Sequence, residues 1–189
     1  MSDPLKVTVR IPARLQPAHR DDLIVKPISE LMRHVSPRTR LAAKETVVTQ
    51  HGEPVEAVLD WEVELSDAEH VVTRLLDLEA GLPRGSTVEI NGKAATFGEL
   101  EGLAVYLNGT ELADDVYAQA DLQAIVEDLQ QHLGRTGQLW SWWQGEAETA
   151  LYFYGPDAAA IRSALEERSQ QHPLMERCRM ERLGLFQEK

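Results

Sequence analysis

Cysteine is almost absent from this chain of 189 residues: Cys178 is the only one. An intramolecular disulfide is therefore impossible, and a zinc site built on thiolates would draw one such ligand from the chain. Aromatic residues are scarce at 6%, and no apolar run approaches the roughly 18 residues that a membrane-spanning helix needs. The start, MSDPLKVTVR, lacks the apolar stretch of a secretion signal. The expectation is a cytoplasmic protein without a membrane role.

Positive charge is the next shortage. Lys and Arg number 19 against 31 Asp and Glu, a net charge of -12, and the isoelectric point lies near 4.9. Affinity for a phosphate backbone depends on Lys and Arg displacing condensed counterions, so nucleic acid is not an expected partner. The imbalance is concentrated: between Glu99 and Asp157 there are 11 acidic residues and one basic residue, Arg135. A solvated surface that maintains solubility gives such a run. A face that docks a basic protein gives it too.

Catalytic and cofactor signatures are missing as well. There is no G-x-S-x-G elbow, no H-E-x-x-H, and neither G-x-G-x-x-G nor G-x-x-x-x-G-K-[ST]. The six histidines show no i, i+4 pair that would set two ligands on one helix face. No metal and no cofactor are expected, and Cys178, between Arg177 and Arg179 on a strand, reads as a small buried hydrophobe. The chain reads as a binder rather than a catalyst.

What is present is the patterning of a folded domain: 43% hydrophobic and 26% charged residues, close to average globular usage. Lys6 to Ile11 alternates like a strand, and Ile28, Leu31, Met32 and Val35 follow helical spacing between Pro27 and Pro37. Leu41 to Thr49 and Val55 to Leu65 flank a Gly- and Pro-containing turn. Ser66 and Asp67 offer a cap to a helix bearing Val71, Val72, Leu75 and Leu76, and Ser86 to Ile90 closes as a strand.

The same order recurs downstream. A strand at Leu103 to Leu107 is followed by a helix capped by Asp121, with apolar residues at 122, 125, 126, 129 and 133. Strands at Leu139 to Trp143 and Thr149 to Tyr154, a helix capped by Asp157 and a strand at Cys178 to Leu183 complete it. Two β-α-β-β-α-β runs predict an α+β protein of two tandem ferredoxin-like units, residues 1–92 and 103–189, joined by a segment at 93–102. Asn91-Gly92 and Asn108-Gly109 are both type I′ hairpin signals, so an extra central hairpin is expected.

The least ordinary segment is Leu139-Trp-Ser-Trp-Trp-Gln-Gly-Glu146, which holds three of the four Trp. Strict alternation puts Trp140 and Trp142 on one face and Trp143 on the other, with Tyr152 and Tyr154 sharing a face of the next strand. Trp and Tyr anchor interfaces, so the candidate binding residues are Trp140, Trp142, Trp143, Glu146, Tyr152 and Tyr154, joined by the acidic pair Asp114 and Asp115. The main expectation is a non-catalytic acidic protein, of an inhibitor or immunity type, that engages a basic macromolecule. Exposed sheet surface also makes a homodimer an expectation. In element order, tandem units of this kind resemble ACT-type regulatory domains, and that resemblance implies the alternative of a small-molecule sensor.

Overall fold

In the computed structural model, which describes residues 4–184, two antiparallel sheets each carry helices, and the chain divides into compact units at Leu100 and Glu101. In the first unit, β1 (Leu5–Ile11) leads into a helical run. That run comprises α1 (Pro17–Arg20), a π-helical stretch (Asp21–Val25) and α2 (Lys26–Val35). β2 (Arg40–Val48) and β3 (Pro54–Val63) form a hairpin, α3 (Ala68–Leu76) follows, and β4 (Ser86–Ile90) returns to the sheet. The order β2-β3-β1-β4 is the ferredoxin-like arrangement.

Period-two burial explains β3: Val55, Ala57, Leu59, Trp61 and Val63 are buried on the helix side. The alternate positions Glu56, Asp60 and Glu62 pair with Arg10, Lys6 and Arg40. β5 (Lys93–Phe97) adds a fifth strand next to β4 through the predicted Asn91-Gly92 turn, where φ is +52° and +73°. Both central residues of a type I′ turn require positive φ, which Asn and Gly adopt readily. Residues 93–97 are thus sheet rather than a free connection.

The second unit repeats the order. β6 (Glu101–Asn108), α4 (Asp114–Gln119), α5 (Leu122–Leu133), β7 (Gln138–Gln144), β8 (Glu148–Gly155), α6 (Ala158–Ser169) and β9 (Arg179–Leu183) give a sheet ordered β7-β8-β6-β9. Its core joins Leu103, Val105, Leu151 and Phe153 of the sheet to Leu129 and Leu133 of α5 and Ile161 and Leu165 of α6. Both caps expected in this unit are present: Asp121 accepts from the Ala124 N–H at 3.0 Å, and Asp157 from the Ala159 N–H at 2.8 Å, whereas in the first unit Asp67 stands at the N-cap of α3 without a side-chain cap bond.

Asn108-Gly109 differs from expectation. Neither residue has positive φ, and β6 pairs with β8 and β9 rather than with the segment that follows it. The Asn108 side-chain oxygen accepts instead from the Thr110 and Glu111 N–H groups, an Asx-type turn that leads toward α4.

Candidate functional site

A β-bulge decides where the tryptophans go. β7 follows β8 with Leu139 opposite Phe153 and then Ser141 opposite Tyr152, so Trp140 is the extra residue. The Leu139 N–H is held by the Gln130 side-chain oxygen of α5, which ties the bulged strand to the helix. From there the alternation is inverted relative to an unbroken strand. Trp142 stands opposite Leu151 on the helix side, and Trp143 opposite Ala150 on the other side.

The expectation that Trp140 and Trp142 share a face is therefore corrected. Trp140 stacks on Tyr154, with ring centroids 4.5 Å apart and planes tilted by 31°. Trp143 is half-buried, folded toward the turn so that a side chain on Gly145 would collide with its ring. Tyr152 and Tyr154, on the non-helical face, are buried, as is Tyr106 beneath the Arg179 guanidinium at 3.8 Å from its ring centre. These aromatics do not form an open platform.

Trp142 is the exception, 44% exposed. It borders a cleft of about 530 Å³ between α5 and the β7 edge of the sheet. Leu122, Val126, Leu139 and Leu151 supply the apolar wall, while Gln123, Glu127, Gln144 and Thr149 form the polar rim. The helix geometry accounts for the opening. Ile125, Leu129 and Leu133 of α5 lie in the core, whereas Leu122 and Val126, four residues apart, form a neighbouring row over the edge strand. Gln123 and Glu127 are also one turn apart, and the Gln123 amide donates to the Glu127 carboxylate at 3.0 Å. The volume falls within the usual range of small-molecule sites.

The remaining expected residues lie elsewhere. Asp114 and Asp115 are exposed on α4, and Asp115 borders a second cleft of about 470 Å³ with Asp121, Ile125, His172 and Leu174. Glu146 is exposed in the β7–β8 turn. The acidic run is partly neutralised by arginines that follow it in sequence. Arg168 forks onto Asp128, Arg179 pairs with Glu148 at 2.9 Å, and Arg182 pairs with Glu101. His172 also meets Asp128, at 2.7 Å. The Arg168 bridge first, and His172 second, hold the Asp128 carboxyl well below the usual carboxylate range. Burial pushes the Cys178 thiol upward, in keeping with a packed side chain beside the core.

Among the described residues, no group of three or more His, Cys, Asp or Glu is placed to hold a metal ion. No helix among them is long and apolar enough to cross a membrane. The sequence pattern places Leu122 and Val126 in the apolar stripe of α5 but does not separate them from its core row, although a signal exists. Five apolar positions on α5 exceed the three that its core stripe needs.

No family model and no curated protein matches the chain. Solved structures offer distant likenesses. The regulatory subunit of aspartate kinase from Thermus thermophilus is 11% identical, with 88% of this chain and 93% of that one covered and a TM-score of 0.28. A protein designated a glycine cleavage system transcriptional repressor is 11% identical, with 97% and 98% covered and a TM-score of 0.35. The first two RRM domains of the yeast poly(U)-binding protein are 12% identical, with 95% and 99% covered and a TM-score of 0.26. The three differ in function, and likeness at this level carries no argument about activity.

Proposed function

We propose that the chain is a non-catalytic, small-molecule-sensing module whose ligand sits beside Trp142 in the second unit. One observation carries this reading: a large, 44% exposed indole borders a cleft of about 530 Å³ with an apolar wall and a short polar rim. That combination is the usual make-up of a small-ligand site, in which apolar walls supply affinity and a few polar groups fix orientation. The test is a thermal-shift panel of amino acids, nucleotides and amines on the intact chain, with Trp142→Ala in parallel. A ligand specific to the folded state raises the melting temperature by an amount that grows with the logarithm of its concentration above Kd. The reading expects stabilisation by one chemical class, lost in Trp142→Ala. Stabilisation retained in that variant would remove the cleft from consideration.

The partner reading rests on a different observation. Once Arg168, Arg179 and Arg182 have paired, Asp114, Asp115, Asp121 and Glu127 of the α4–α5 segment form no ion pair among the described residues. A basic protein would be steered to that segment by charge. Capture from native lysate at two salt concentrations tests it, with Asp114→Asn/Asp115→Asn as the control. A single basic protein held at low salt, released at high salt and lost in the double variant supports this reading. Equal capture by the double variant refutes it.

A further inference from the structure

We infer that the Trp142 cleft selects a small organic cation, an amine carried on an apolar body, over neutral and anionic molecules of the same shape. This rests on the ligand-binding reading of the cleft and adds its charge preference. The lining carries one formal charge, the Glu127 carboxylate; no Lys, Arg or His lines it among the described residues. A carboxylate or phosphate entering there would meet the like charge of the exposed Glu127 with no cation in the lining to compensate it. An ammonium meets two favourable groups. Glu127 offers a charge-assisted hydrogen bond, and its position is set by the Gln123 amide at 3.0 Å. The half-exposed Trp142 indole is the aromatic ring that attracts cations most strongly.

The rest of the cleft suits the apolar part. Leu122 and Val126 from the helix and Leu139 and Leu151 from the sheet form its wall. The surrounding charge acts in the same direction, since residues 101–184 hold 14 acidic and six basic side chains and so concentrate cations near the unit.

The test is calorimetric titration of the full chain at pH 7 and low salt with three indoles of matched shape: tryptamine (cation), tryptophol (neutral) and indole-3-propionate (anion). Tryptamine is expected to bind about two- to five-fold more tightly than tryptophol, the order expected of an ion pair to an exposed carboxylate, and indole-3-propionate to bind most weakly. Glu127→Gln should remove most of the tryptamine advantage, leaving only the part supplied by the Trp142 indole, and leave tryptophol unchanged, with the unfolding midpoint reporting an intact fold. Trp142→Ala should weaken all three. Equal binding of tryptamine and tryptophol, or a tryptamine preference undiminished in Glu127→Gln, overturns the charge preference while leaving the cleft as a ligand site. Failure of all three probes to bind overturns both.

Discussion

Two leucines on one helix give a quantitative test of how α5 divides its work. Leu129 is fully buried in the second core, whereas Leu122, two turns earlier, is 37% exposed at the cleft. Leu→Ala removes three carbon groups, worth about 2.4 kcal/mol when fully buried at roughly 0.8 kcal/mol each. At Leu129 the vacated space is closed on all sides, and the cavity contribution raises the expected loss to about 3–4 kcal/mol. At Leu122 only part of the side chain leaves water and the space opens to solvent, so the expected loss is about 1–1.5 kcal/mol. Urea unfolding followed by tryptophan fluorescence measures both. Under the cleft assignment, Leu122→Ala also weakens tryptamine binding several-fold. Losses equal within about 0.5 kcal/mol, a difference at the limit of such measurements, would refute the assignment of the two faces.

Three further predictions concern charge, backbone and thiol. The Asp128 pKa is depressed in the folded state, so its contribution is complete above the ordinary unfolded value near about 4 and is lost as pH falls through the folded value. Asp128→Asn should therefore lose less stability than the parent between pH 7 and pH 3 in acid titrations followed by circular dichroism; parallel curves would contradict the bridge. Gly98 has φ of +98° and would press a side chain onto the Pro83 carbonyl, so Gly98→Ala should cost about 2 kcal/mol or more in urea unfolding, and a neutral result would contradict this local geometry. With its thiol partly buried and its pKa raised, Cys178 should react with an aromatic disulfide at pH 7 at least about ten-fold more slowly in the folded chain than in urea, and equal rates would place it on the surface.

The sequence made the element order legible because its periodicities are strong. The alternation in β3 and the apolar spacing of α5 come from burial on one face, which is the main determinant of each element. Asn91-Gly92 was legible for a backbone reason, the need for two positive φ values in succession. The same dipeptide type at 108–109 was misleading, since an Asn side chain can also cap a loop through its oxygen. The bulge at Trp140 left no local mark. No Gly sits at the bulge, and its anchor, Gln130, comes from a helix nine residues back. That single extra residue moved Trp142 from the face that strict alternation assigns it to the mouth of a cleft, and alternation alone did not distinguish it from Trp140 and Trp143. The short helix α4 and the helical run from Pro17 to Val25 were not anticipated, because α4 is short and polar and the apolar residues of the run, Leu23, Ile24 and Val25, are consecutive rather than at helical spacing.

The most direct test of the central claim uses fluorine NMR on the full chain labelled with 5-fluorotryptophan. Four resonances are expected, from Trp61, Trp140, Trp142 and Trp143, each assigned by single Trp→Phe substitution. Titration with tryptamine should move the Trp142 resonance in a saturable way while those of Trp61 and Trp140 stay in place. A static Trp142 resonance, or a titration that moves only another tryptophan, would contradict the account.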